Sequence, residues 1–93
     1  MPVGLLTLEL HISEAQSLKD KRQVLRRLKD RLRGQFNVAV AELEHQDVWQ
    51  RSVVGIVTLA NEGVHVEESL QHVLAEADRL LGPLLIGHQI EVM

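Results

Sequence analysis

The amino-acid sequence predicts an α+β sandwich in which a four-stranded antiparallel sheet carries two helices on one face. Four segments have the alternating or continuous apolar pattern of strands, and two longer segments repeat apolar residues at helical spacing. The six segments follow one another in the order βαββαβ, without a linker or a low-complexity stretch. Because 93 residues suffice for one modest core, we predict a single domain over residues 1–93.

The first strand is predicted over residues 3–12, where Leu6, Leu8 and Leu10 alternate with more polar neighbours. A helix over residues 17–33 follows. It begins with the S-x-x-D pattern of residues 17–20, which is close to a capping box, and Gly34 is its expected end. The apolar residues that recur along this helix are Leu18, Val24, Leu25, Leu28 and Leu32.

Two further strands are predicted over residues 37–44 and 52–60, and the later one is apolar on both faces, as a central strand should be. A second helix ends at Gly82 and Pro83, and the last strand covers residues 84–92. Right-handed crossovers place the first and third strands in the centre, which gives a ferredoxin-like sandwich. The predicted core consists of Leu6, Leu8, Leu10, Leu25, Leu28, Leu32, Leu70, Val73, Leu74 and Ala77.

The charge of the chain is distributed very unevenly. The net charge is −3, yet residues 19–33 carry eight basic and two acidic side chains, a net +6, so the remainder carries −9. Such asymmetry indicates an anionic partner. The chain has no cysteine, which excludes disulfides and thiolate metal sites, and no apolar run approaches the roughly 20 residues of a membrane helix. We therefore expect a cytoplasmic protein without membrane association.

The segments SLKDKR, LRRLKDRLRGQFNVAVAE and VWQRSVVGI resemble the YlxP-like family of small bacterial proteins. The resemblance covers nearly the whole chain and is densest over residues 17–42 and 49–51. It implies the ferredoxin-like fold and a usual genomic setting among genes for translation initiation and ribosome maturation. No catalytic residues are established for that family, so the resemblance assigns none to this sequence.

Five basic residues of the first helix fall on one side of a helical wheel and are called the basic stripe: Lys19, Arg22, Arg26, Lys29 and Arg33. Such a stripe can follow a phosphate backbone, because the planar guanidinium group binds phosphate oxygens in pairs. The alternative is a solvated helix face whose charges pair locally with Asp30, or with the second helix through Glu67, Glu76 and Asp78.

The open sheet face is a poor candidate for RNA binding. Only Phe36 and Trp49 are aromatic, neither lies within a central strand, and the outward-facing residues are expected to include Glu9, Glu42, Glu44 and Glu91. Together with His11 these carboxylates also suggest a cation site, but the simpler interpretation is a solvated polar face. Trp49 is expected to pack at the edge of the core, or else to anchor a partner.

No nucleophile motif, glycine-rich phosphate loop or paired metal-binding histidine occurs in the sequence. We therefore predict a non-catalytic module without metal, cofactor or small-molecule ligand, which binds structured RNA or a ribonucleoprotein through the basic stripe. The alternative is a homo-oligomeric regulatory or protein-interaction domain. A homodimer is predicted to use apolar residues of the second sheet face, namely Leu5, Val53, Val57, Leu59 and Leu85.

Overall fold

The computed structural model of the protein describes residues 2–93, and its elements follow the predicted order. The strands are β1 (Val3–His11), β2 (Ala39–Glu44), β3 (Arg51–Leu59) and β4 (Leu85–Val92), and the helices are α1 (Leu18–Gln35) and α2 (Gly63–Leu81). The strands form one antiparallel sheet in the order β2-β3-β1-β4. The predicted central position of the first and third strands is thus confirmed, and β2 and β4 are the sheet edges.

The register of the central pair explains why one face of the sheet is covered. Leu6 lies opposite Ile56 and Leu8 opposite Val54, and all four side chains are buried beneath the two helices. The residues between them, including Leu5 opposite Val57, point to the outer face, which is the face of the sheet that carries no helix. Alternation along β1 therefore separates a core face from a face without cover.

The predicted core is present. Eight of its residues are fully buried in one cluster, and the other two, Leu25 and Leu74, are partly buried against it. Gly4 is buried directly under α2, where an added Cβ would collide with Val66 and Leu70. A glycine at this point of β1 thus allows α2 to approach the sheet closely.

The ends of α1 were predicted with unequal success. The Ser17 hydroxyl accepts a hydrogen bond from the amide of Asp20 at 3.1 Å, which confirms the predicted helix cap. The predicted end at Gly34 is wrong, because the helix continues to Gln35 and the amide of Phe36 still donates to the Leu32 carbonyl. Phe36 packs against the core, and this burial favours the two additional helical residues.

The end of α2 agrees with the sequence prediction. Gly82 has φ of 56°, a left-handed conformation that glycine adopts without a Cβ clash, and its amide donates to the Asp78 carbonyl. A single 3₁₀ turn, Gly82–Leu84, then leads into β4. The chain reversal after α2 is therefore encoded by the glycine–proline pair.

Candidate nucleic-acid interface

The basic stripe lies on the flank of α1 that points away from α2 and overhangs the edge strand β2. Four of its residues are exposed and Lys29 is half-buried. Arg22, Arg26 and Lys29 line a groove of about 250 Å³ whose other wall includes Val40 and Ala41 of β2. The sequence prediction that these residues share one side of the helix is consistent with this placement.

The stripe has no carboxylate partner within the described part of the chain. Three ion pairs occur among residues 2–93, and none of them includes a stripe residue. Asp30, the predicted local partner, forms no ion pair there either. The other acidic residue of α1, Asp20, accepts a hydrogen bond from the amide of Gln16. The stripe is consequently a row of cations whose charge is balanced only by solvent and distant groups.

Lys21, in contrast, is buried and belongs to the structural interior. Its side chain is 1% exposed, and its ammonium group donates to Glu42 Oε2 at 2.9 Å. It also donates to the carbonyl oxygens of His45 at 2.7 Å and Gln46 at 3.2 Å, with that of Arg51 at 3.5 Å. A buried lysine needs such partners, because an unpaired buried charge is very costly.

Sequence reasoning missed this role of Lys21, although a signal for it exists. Lys21 lies three residues after Leu18 and four before Leu25, so it occupies a position of the apolar seam itself. A basic residue at a seam position indicates either a snorkelling side chain or an internal ion pair. The seam spacing, considered together with Glu42 on the adjacent strand, would have indicated the ion pair.

The prediction that Glu42 points outward with the other sheet carboxylates is wrong. Glu42 lies opposite Val54, which is a core-facing residue of β3, and its carboxylate accepts hydrogen bonds from Lys21 and, at 2.6 Å, from the Ser52 hydroxyl. Removing a carboxylate from water costs free energy, and the ion pair with Lys21 offsets this cost. Lys21 and Ser52 are each 1% exposed, so this cluster is closed to substrates.

Glu76 on α2 pairs with two basic residues outside the stripe, Arg31 of α1 and Arg79 of α2 itself. Arg31 donates to Glu76 Oε2 at 2.9 Å, and Arg79 approaches Glu76 Oε1 at 3.3 Å. The hydrogen bond from Arg31 is the main cause that holds the pKa of Glu76 below its ordinary value of 4.5, against the opposing effect of burial. The local pairing considered for the helix charges therefore occurs, but on the α2 side of α1.

The outer face of the sheet is apolar in the middle and acidic around it. Val57 and Leu59 are exposed there, and Leu43 lies over Gly55. Glu9 and Glu91 point to this face through their pairing with Val53 and Leu5 respectively. No group of three side chains that could hold a metal ion is found in residues 2–93, and the turn of Glu42 toward the helices divides the predicted carboxylate group.

Leu85 does not contribute to the outer face, contrary to the sequence prediction. It lies opposite Leu10, a core residue of β1, and is partly buried against the core. The reason is a register irregularity between Glu9 and Leu10, which shifts the pairing of the first residues of β4. The other predicted residues of that face, Leu5, Val53, Val57 and Leu59, keep the predicted side.

Trp49 does not pack on the edge of the core. Its side chain is 51% exposed in the connection between β2 and β3, and it is not among the residues that pack against the core cluster. The interpretation of Trp49 as a residue that pins the hairpin is therefore wrong. The hairpin is instead held by Lys21, which bonds its backbone carbonyls.

The helices of the described residues are too short or too polar to cross a membrane. Both α1 and α2 are amphipathic helices that pack on the sheet.

The fold and the sheet order define a ferredoxin-like α+β sandwich. The structure resembles two designed ferredoxin-fold proteins, Ferredog-Diesel (TM-score 0.55, 12% identity, 98% of this chain and 83% of that chain) and LFR1 1 (TM-score 0.52, 11% identity, 100% and 83%). It also resembles SnoaB, a cofactor-independent oxygenase from Streptomyces nogalater (TM-score 0.58, 13% identity, 99% and 90%). At these identities the likeness concerns the fold alone.

The chain belongs to the family described as protein of unknown function DUF503, whose model matches residues 3–82. A relative from Bacillus subtilis (strain 168), the uncharacterized protein YlxP, is 42% identical over 76 residues, which cover 82% of this chain and 83% of the relative. The resemblance noted from the sequence is thereby confirmed. The family description and the relative's name state no catalytic activity.

Proposed function

We propose that this domain is a non-catalytic cytoplasmic accessory module that binds structured RNA or a ribonucleoprotein through the basic stripe. The observation that carries the proposal is the selective pairing of basic side chains. Lys21, Arg31 and Arg79 each have a carboxylate partner, whereas the other seven basic residues have none in the described part of an acidic chain, and five of those seven form the stripe. Cations left unpaired on one face supply the electrostatic attraction that phosphates require.

The geometry supports contact with a nucleic-acid backbone more than reading of bases. Lys19 and Arg33 are fourteen residues apart on one helix, which corresponds to about 21 Å at 1.5 Å per residue. A row of this length spans several phosphates, and phosphate contacts position a protein without reading sequence. The outer sheet face, with Glu9 and Glu91, repels phosphate, so RNA is expected on the helix side.

The non-catalytic part of the proposal is supported by the chemistry of the interior. The polar cluster of Lys21, Glu42 and Ser52 is the one buried group in residues 2–93 that combines a hydroxyl with ionised partners. Its lysine and serine are enclosed, and the ammonium is fully engaged by oxygen acceptors, so neither is available to a substrate. The cluster is suited to holding the β2–β3 connection in place.

The test is fluorescence anisotropy of a labelled RNA as a function of salt. Five phosphate contacts predict a slope of log K against log salt of about −3.5 for a single strand. Replacement of both Arg22 and Arg26 by Glu should weaken binding at least about tenfold and reduce the slope by about 1.4, because two contacts are lost. The matched control replaces Arg27 and Arg51 by Glu, which changes the net charge equally and leaves the stripe intact, since both side chains are exposed and form no ion pair within residues 2–93.

Equal weakening by both pairs of substitutions would show that net charge alone matters and would overturn the assignment of the stripe. Full retention of binding by the Arg22 and Arg26 variant would do the same. An RNA affinity that is undetectable at low salt would remove the RNA-binding proposal altogether.

A second candidate function is a homodimer that covers the outer face of the sheet. It is favoured by the exposure of Leu43, Val57 and Leu59 on a face that the chain's own helices do not cover. A second copy offers the same apolar centre in a two-fold arrangement, with the acidic residues left at the rim. Light scattering should then give twice the monomer mass, and Val57→Glu should restore the monomer. A monomer at high protein concentration would contradict this candidate.

A further inference from the structure

The connection between β2 and β3 is fixed by side-chain hydrogen bonds from two directions. Lys21 bonds the carbonyls of His45 and Gln46 from inside, and the Gln50 side chain donates to the carbonyls of Ser13 at 3.0 Å and Ala15 at 3.2 Å. The Gln50 carbonyl in turn accepts the amide of Ile12 at 2.7 Å. A connection of this length with so many bonds to neighbouring segments has a defined conformation.

The backbone of His45 indicates that the hydrogen bonds of the connection determine its conformation. Its φ of 68° is left-handed, which is uncommon for a residue with a side chain. The carbonyl of the same residue accepts both the Lys21 ammonium and the amide of Val48 at 3.0 Å, and these bonds offset the cost of the unfavourable backbone.

Trp49 is exposed to solvent in this fixed connection. Lys21, which bonds the connection, lies in the first turns of α1 between the stripe residues Lys19 and Arg22. The Trp49 side chain is half exposed. The connection also carries Asp47, whose exposed carboxylate does not attract a polyanion. A contact between the connection and a nucleic acid would therefore use the flat apolar face of the indole and not charge.

We propose that Trp49 stacks on an unpaired base of an RNA whose phosphates run along the basic stripe. The inference rests on the proposed function and specifies the class of RNA, one with an unpaired nucleotide, because a base inside a duplex has no free face to stack on an indole. Stacking on an aromatic side chain tolerates any base, so it adds affinity without sequence preference. A cationic row with an aromatic platform at its end is the usual combination for single-stranded nucleic acid.

The experiment uses the emission of Trp49, which is the only tryptophan in a chain without tyrosine. A single-stranded oligouridine should quench this emission, whereas the same strand with abasic positions and a blunt duplex of equal charge should not. Trp49→Leu should weaken binding of the single strand about tenfold while leaving the salt slope unchanged, since no phosphate contact is lost. Trp49→Phe, which keeps an aromatic face, should retain most of the affinity.

The outcomes separate this inference from the proposed function. If the Arg22 and Arg26 substitutions weaken RNA binding while Trp49→Leu binds like the parent, the stacking role is overturned and the stripe assignment stands. If emission changes only with protein concentration, Trp49 belongs to a protein contact and the inference is again overturned. Absence of RNA binding by anisotropy would overturn both. A urea melt of Trp49→Leu close to the parent confirms that the variant is folded, as its exposure predicts.

Discussion

Replacement of Lys21 by Met tests whether the buried ammonium holds the sandwich together at the end where α1 begins. Methionine has a similar length and is apolar, so the substitution removes the charge without opening a large cavity. The loss includes the strong hydrogen bonds to Glu42 at 2.9 Å and to the His45 carbonyl at 2.7 Å, and a weaker one to Gln46. It also leaves the Glu42 carboxylate without its counter-charge.

The expected cost is about 3 kcal/mol. Removing one partner of a buried pair typically costs about 3–5 kcal/mol, and the lower end applies here because the Glu42 side chain is 20% exposed and can recruit water. In a urea melt, with a slope near 1 kcal/mol per molar for a domain of this size, the midpoint should fall by about 3 M.

The matched control is Lys19→Met, the same chemical change two residues earlier at an exposed position. It should alter the free energy of unfolding by less than about 0.5 kcal/mol. The double variant Lys21→Met with Glu42→Gln should recover part of the lost stability, because the unpaired charge is gone. If Lys21→Met costs no more than Lys19→Met, the internal role of Lys21 is refuted.

Two other substitutions test the core and the contact between the helices. Leu28→Ala removes a fully buried side chain from the middle of the α1 seam and should cost about 2–5 kcal/mol in a urea melt, and a loss below about 0.5 kcal/mol would contradict its placement. Glu76→Gln should change the pH dependence of stability, because the folded-state pKa of Glu76 lies below 4.5. The parent should have the larger free energy of unfolding above pH 4.5, and this difference should disappear as the pH falls through the folded-state pKa. A difference in unfolding free energy that stays constant from pH 6 to pH 3 would contradict the Arg31–Glu76 interaction.

The sheet and the helices could be predicted from periodicity, because most side chains in each element face either the core or the solvent and their polarity matches that side. Leu6 and Leu8 alternate with Leu5 and Thr7, and β3 is apolar on both sides because it is central. The end of α1 could not be predicted from Gly34, since the burial of Phe36 outweighs the preference of glycine for a helix end. Tertiary packing decides such boundaries.

Only part of the candidate site could be predicted from the sequence. The helical wheel gives the position of the basic stripe and places Lys21, unlike Arg22, in the apolar seam, but it does not show where the carboxylate partner of Lys21 lies. The direction of Glu42 depends on the pairing register of an edge strand that ends in an irregularity. The side to which Leu85 points depends on a similar irregularity at the other edge.

RNA binding through the basic stripe is tested most directly by an NMR titration of the amide signals of the protein with a short single-stranded RNA. We expect the shifts to concentrate on the exposed flank of α1 between Lys19 and Arg33 and to decrease as salt is added. Amides of the outer face, such as those of Val57 and Glu91, should move little. Shifts confined to the outer face, or no shifts at low salt and high RNA concentration, would contradict the claim that this domain binds RNA through the basic stripe.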